Sequence, residues 1–371
     1  MKKLFNKKTV IFHVLMWFIC LLGIYTINTV AGIYAGNRYI ALDPINKKIS
    51  KTTWGYFAPN QKKIILFPGC KEYQVTVNSL GFRSVGPGGD IPIEEMQNKY
   101  RILAIGDSMT FGLFNNDEES YPYQLQQLLL KNGKNAVVLN AGIGSSTITD
   151  FLYYLQKKGL DLKPDMVVIG FCKNDFNEME ELPAYQRMIE DSAFDFAKSV
   201  KLTKFFRAFR QVTVQGKYRH WLGKIEDEKV KRILEEKSIR LSDVLYVQAY
   251  EGGKIAEDPL NSALRDQWKK YLNKLDETIS LLKENKIDVL FIIFPDILDV
   301  FDSTKSNVND MLVPFLKKRD VEYIDMVPLF KARKNEYYKL YNDLPRDFHL
   351  SGEGNKVLVN EFYSRIKGRI K

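Results

Sequence analysis

The chain has 371 residues, 45% of them hydrophobic and 27% charged, a balance that supports a folded core and excludes a disordered or fibrous protein. Its net charge of +10 comes without a helix-turn-helix pattern, zinc-finger spacing or arginine-rich tail. Nucleic acid is therefore not an expected partner, and the excess reads as a solvated surface bias.

Between Thr9 and Asn37 no charged residue occurs, and this stretch exceeds the roughly 20 residues that a helix needs to cross about 30 Å of hydrocarbon. Lys2, Lys3, Lys7 and Lys8 precede it, and the positive-inside tendency then keeps the N-terminus in the cytoplasm and sends the rest across. Residues 1–36 are expected to form a cytoplasmic tail and a single-pass transmembrane anchor, with His13 near its cytoplasmic edge. A cleaved signal peptide is the alternative, since "TVAG" offers small residues at Thr29 and Ala31. Signal cores usually run only about 7 to 15 residues, which favours the uncleaved anchor.

Residues 37–98 lack helical periodicity and carry turn signals such as "FPGC" and "VGPGGD" beside alternating stretches such as "YQVTVNSLGFRS". They are expected to form a small β-rich lead-in with a turn at Asn78 to Gly81. From residue 99 the pattern changes. Strand-like runs appear at "RILAIGD", "AVVLNAG", "DMVVIGFC", "DVLFIIFP" and "VEYIDMV". Helical stretches alternate with them at about 120–132, 147–158, 265–285, 308–318 and 353–368. This alternation predicts an α/β fold, a doubly wound parallel sheet over 99–371. A long interruption at about 183–265, rich in Lys, Arg and aromatics, is too long for a plain connection and reads as a helical insertion. Cys20, Cys70 and Cys172 make neither a paired framework nor a metal-ligand spacing. Cys70 is the one placed to react, and a Cys70 to Cys172 disulfide is the lesser alternative.

The first of these strands ends in "AIGDSMTFG", which presents Ser108 where ligands of open α/β sheets gather. Gly106, Asp107 and Ser108 could equally form a turn whose side chains cap backbone NH groups. A serine nucleophile needs a base, most often histidine. Of the three histidines, His13 lies in the anchor and His220 in the insertion, which leaves His349 in "LPRDFHLSGEGN". Asp347, two residues earlier, can fix the imidazole tautomer and complete a Ser/His/Asp arrangement. The competing reading is a surface loop whose Asp and Ser cap the last helix. An oxyanion site needs converging NH donors, and "LNAGIGSST" supplies a glycine turn while "GFCKNDF" puts Asn174 at a strand end.

These blocks, "GDS" at 106–108, "NAGIG" at 140–144, "KND" at 173–175 and "DFHLSGEGN" at 347–355, resemble in order those of the SGNH, or GDSL-type, hydrolase family. "VNSLGFRS" also resembles a segment common in larger members. The resemblance implies Ser108 as nucleophile and His349 as base. It also implies an oxyanion hole made by the Ser108 amide, the turn near Gly144 and the Asn174 side chain. Gly142 and Ser145 are alternative donors in that short turn. Cys172 stands where the family often has glycine, and Arg346 where it usually has the aspartate. Asp347 resembles the Asp-x-His variant of members that handle acetyl groups on polysaccharides, and Asp343 is the spare candidate. The G-x-S-x-G arrangement of other α/β hydrolases is disfavoured, because Thr110 fills its last position.

The expected function is hydrolysis of a small acyl ester, acetyl foremost, on a carbohydrate or cell-envelope substrate through an acyl-serine intermediate, on the outer side of the membrane. Transfer of the acyl group to a sugar hydroxyl is the first alternative. A non-catalytic carbohydrate-binding or assembly protein on the same fold is the second. No cofactor and no metal are expected, since there is no P-loop, dinucleotide fingerprint or His/Cys cluster.

Overall fold

The computed structural model describes residues 13, 15–20, 22–23, 53–65, 72–144, 146–172, 175, 262–295, 300, 309–342 and 349–370. The described part of the expected anchor is helical, with Leu15, Met16, Trp17, Phe18, Ile19 and Leu22 exposed. Among the described residues no helix is long and apolar enough to cross a membrane. Most of 1–36, and the expected insertion up to residue 261, lie outside the described residues.

Two strands of the lead-in, β1 (Gln61–Ile65) and β2 (Tyr73–Val77), pair antiparallel. The turn that follows β2 falls at Asn78 to Gly81, as expected. Asn78 Oδ1 accepts from the amides of Leu80 and Phe82, each at 3.0 Å. Gly81 closes the turn at φ 83°, a left-handed conformation that favours glycine.

Five strands then form one parallel sheet: β3 (Tyr100–Gly106), β4 (Ala136–Gly142), β5 (Met166–Phe171), β6 (Asp288–Ile293) and β7 (Glu322–Asp325). Their spatial order is β4-β3-β5-β6-β7. The chain therefore leaves β3 toward β4 and returns across it to β5. That reversal opens a crevice at the carboxyl ends of β3 and β5, where such sheets bind ligands.

Strand residues alternate between two cores, as a period of two requires. Leu103, Ile105, Val137, Leu139, Val167 and Ile169 face one side, and Ile102, Ala104, Val138 and Val168 face the other. Being covered on both faces, the strands read as nearly continuous apolar runs. Onto the second side pack α1 (Tyr121–Lys131), through Tyr121, Leu125 and Leu129, and the final helix α4 (Gly352–Ile366), through Leu358, Phe362 and Ile366. The first side carries α2 (Ile148–Tyr154) and α3 (Ser262–Glu284). α3 begins inside the last residues assigned to the insertion, and Trp268, Tyr271, Leu275, Ile279 and Leu282 recur along it at helical spacing, all buried.

The lead-in packs into the first core through Tyr56, Phe57, Tyr73, Val75 and Val77. It also covers the open edge of the sheet. Arg83 pairs with Asn140 of the edge strand β4, and Gln126 of α1 accepts from the Val138 amide at 2.7 Å. Edge groups that would otherwise invite another strand are thereby occupied.

Candidate active site

β3 ends in a glycine for a steric reason. A Cβ on Gly106 would lie 2.1 Å from Thr110 Oγ1, so no larger residue fits where strand meets helix. Asp107 is fully buried, and its Oδ1 accepts from the Met109 amide at 2.9 Å. The cap expected of this turn is therefore real, but it uses Asp107 and leaves Ser108 to face the crevice. Ser108 opens a four-residue helical turn, Ser108–Phe111, so its amide has no acceptor within that helix.

Ser108 Oγ lies 2.8 Å from His349 Nε2, a normal hydrogen-bond distance between residues 241 positions apart. Asp107 Oδ2 is farther from the hydroxyl, at 3.4 Å. His349 is held by its neighbours on both sides. Its carbonyl accepts from the Asn342 amide at 2.8 Å, and Leu350 bridges back to Tyr341. The Phe114 ring meets the imidazole edge-on with centroids 5.4 Å apart. Ser351 caps α4 by accepting from the Gly354 amide. A capping serine and a histidine within hydrogen-bond distance of Ser108 thus share this loop, and the part of either reading that uses Asp347 lies outside the described residues.

The glycine turn after β4 is tied to the end of β3. Gly106 O accepts from the Ile143 amide at 3.1 Å and lies 3.0 Å from Ser146 Oγ. The amide of Gly142 already donates to Asn140 Oδ1 at 3.0 Å. Gly144 is exposed, with nothing within 4 Å of the position a Cβ would take. Ser145, Asn174, Asp343, Arg346, Asp347 and Cys70 lie outside the described residues.

Three buried polar residues of this region were not singled out from the sequence. Asp175 is fully buried, and its Oδ2 accepts from the Cys172 amide at 3.1 Å, closing the turn after β5. Arg83 is fully buried beneath the Ser108 turn, with its Nε 3.4 Å from Asp117 Oδ1. Burial lowers the pKa of its guanidinium, and Asp117 opposes that shift. Asn115, 1% exposed, donates from Nδ2 to Leu350 O at 2.8 Å. Arg83 and Asp175 had a signal in the sequence, their places in "VNSLGFRS" and "KND"; Asn115 is a polar residue in a turn, a common sight.

A family model described as the GDSL-like lipase/acylhydrolase family matches residues 104–357. No curated protein matches the chain. Among solved structures, it is similar to a lipase/acylhydrolase from Enterococcus faecalis, at 16% identity and TM-score 0.41, over 73% of this chain and 97% of that one. It is similar to an acetyl xylan esterase at 18% identity and TM-score 0.39, over 72% and 99%. An acetylxylan esterase from Geobacillus stearothermophilus gives 16% identity and TM-score 0.40, over 72% and 94%. Likeness at these levels says nothing about the substrate of this chain. The family match is of another kind, for it takes in well over half of the chain, with Ser108 near its start and His349 near its end. On that ground this protein belongs to the GDSL-like lipase/acylhydrolases, hydrolases that act on ester bonds.

Proposed function

We propose that the protein is a membrane-anchored serine esterase that removes a small acyl group, acetyl foremost, from a carbohydrate or cell-envelope substrate. The observation that carries this reading is the 2.8 Å approach of Ser108 Oγ to His349 Nε2. In the reaction, neutral His349 takes the proton as Ser108 Oγ attacks the ester carbonyl. The developing oxyanion is held by the amides of Ser108 and Gly144 and by the Asn174 side chain. Gly144 is preferred to Gly142, whose amide is already committed to Asn140. His349 then gives its proton to the departing sugar oxygen, and the acyl group stays on Ser108. Water attacks next, with His349 again as base, and releases the free acid. Asp347 keeps the ring in the correct tautomer. Acetyl is favoured because Asp347 and His349 have the Asp-x-His spacing of members that handle acetyl groups on polysaccharides. The N-terminal lysines ahead of an uncharged stretch support an anchor with the catalytic domain outside the cytoplasm.

A fluorophosphonate probe tests the chemistry. Wild type should be labelled at Ser108, and Ser108→Ala should lose both the label and about 10⁴- to 10⁶-fold in turnover of p-nitrophenyl acetate. Equal labelling of the two proteins would leave a binding or assembly protein as the better reading. Asp347→Asn should cost on the order of 10⁴-fold, and Asp343→Asn little. With acetylated oligosaccharides, free acid should form at a rate indifferent to added sugar. Acylated acceptor as the main product would make the enzyme a transferase. Protease added to spheroplasts should digest the catalytic domain, and a fully protected domain would refute the orientation.

A further inference from the structure

We propose that Arg83, outside the family match, is a positioning residue that sets the Ser108 and His349 side chains against each other through the loop at 111–117. The proposal rests on the reading of that pair as the catalytic one.

Arg83 donates to three backbone carbonyls. Its Nη1 reaches Phe111 O and Gly112 O, each at 2.6 Å, and its Nη2 reaches Asn115 O at 2.6 Å. The guanidinium also lies over the Phe111 ring, 4.7 Å from the centroid. The first two carbonyls close the helical turn that Ser108 opens, where carbonyls lack intrahelical donors and a cation is favourable. Ser108 O accepts from the amides of Gly112 and Leu113, both at 2.9 Å, so the held end returns directly to the nucleophile.

The third carbonyl belongs to the residue that reaches the histidine side. Asn115 Nδ2 donates to Leu350 O, the carbonyl next after His349, at 2.8 Å. Phe114, whose ring edge faces the imidazole, stands at φ 63°, a left-handed conformation that a bulky residue rarely adopts. Arg83 grips the carbonyls of Gly112 and Asn115 on either side of Phe114, which is the over-determination that holds such a residue in place. One guanidinium thus joins the turn that carries the nucleophile to the loop that touches the base. A buried cation is a costly way to close a loop, and its rigid planar fork of five donors fixes the directions of three carbonyls while Nε faces Asp117, which an ammonium on a flexible stem does not do.

The test uses the full-length chain in detergent and compares wild type, Arg83→Lys, Asn115→Ala and the double variant. Four quantities are read: the thermal midpoint, the stoichiometry and the rate constant of fluorophosphonate labelling, and kcat and KM on p-nitrophenyl acetate. A positioning role predicts that both variants label to full stoichiometry but more slowly. Their kcat should fall by tenfold or more, toward the order of 10²-fold that a 1 Å misplacement costs, with KM changed less than about threefold. The double variant should cost little more than the worse single one, because both act through one loop. A merely structural role predicts a lower labelled fraction with wild-type kcat per labelled site, and that result would overturn the proposal. If Arg83→Lys does not fold, Asn115→Ala decides, since it keeps the guanidinium, and wild-type kcat per site in it sinks the idea. Failure of the underlying reading looks different, because wild type itself would then not be labelled at Ser108.

Discussion

The turn after β3 and the turn after β4 lie side by side at one end of the sheet and are held by different kinds of bond. The first is gripped by buried side chains: Asp107 caps it from within, and Arg83, Asn115 and Asp117 fasten the loop that continues it. The second is held mainly by its own backbone and by Gly106 O, which accepts from the Ile143 amide and lies 3.0 Å from Ser146 Oγ, itself 2.7 Å from Ile143 O, and it leaves Gly144 exposed with open space where a Cβ would stand. The proposed nucleophile and base stand 241 residues apart, and such a pair needs every degree of freedom removed. The proposed donor turn needs the opposite treatment, since an amide already satisfied by the protein has nothing to offer an oxyanion.

The sharpest way to break this contrast is to press one turn into the other. A Cβ on Gly142 would lie 2.2 Å from the Phe111 amide nitrogen, so Gly142→Ala forces backbone against the Ser108 helical turn. It should destabilise by about 3 kcal/mol or more and abolish turnover, which thermal unfolding and an ester assay would show. A wild-type midpoint would mean that the two turns are not in rigid contact. Ser146→Ala removes the hydroxyl that bridges Gly106 O and Ile143 O. It should cost about 1 kcal/mol of stability, near the worth of one hydrogen bond, and reduce kcat by roughly tenfold with KM little changed. Activity at the wild-type level would show that the Ile143 amide alone suffices.

A finer comparison concerns Phe114. Alanine usually outperforms glycine in stability, but at φ 63° the order should reverse, with Phe114→Gly more stable than Phe114→Ala by about 1 kcal/mol. Both should be less stable than wild type, because the ring is buried. Alanine proving the more stable would mean that the loop relaxes out of its left-handed conformation once the ring is gone. The smallest effect belongs to Gly144→Ala, which meets no neighbour. Its stability should stay within about 0.5 kcal/mol of wild type, and turnover within about threefold. A large loss there would show that substrate, not protein, fills the space.

The five parallel strands were legible from residue order alone, because strands covered on both faces must be apolar along their length and the helices between them must repeat every three or four residues. The sequence also pointed to the proposed pair: of the three histidines, His13 falls in the uncharged N-terminal stretch and His220 in the long interruption, which leaves His349. The Asn78 turn was legible for the same kind of reason, a local one, since Asn78 Oδ1 bonds amides only two and four residues ahead. How Ser108 and His349 are held emerges only once the chain is folded. That Ser108 Oγ comes within 2.8 Å of His349 Nε2 depends on α4 packing beside α1, a contact between remote segments. Asn115 and Ser146 have no spacing that marks them, and Arg83 has only its place in "VNSLGFRS", because each bonds backbone carbonyls, which every residue possesses. Such bonds leave no trace in residue types, so the residues that orient a site are harder to read from sequence than the residues that perform its chemistry.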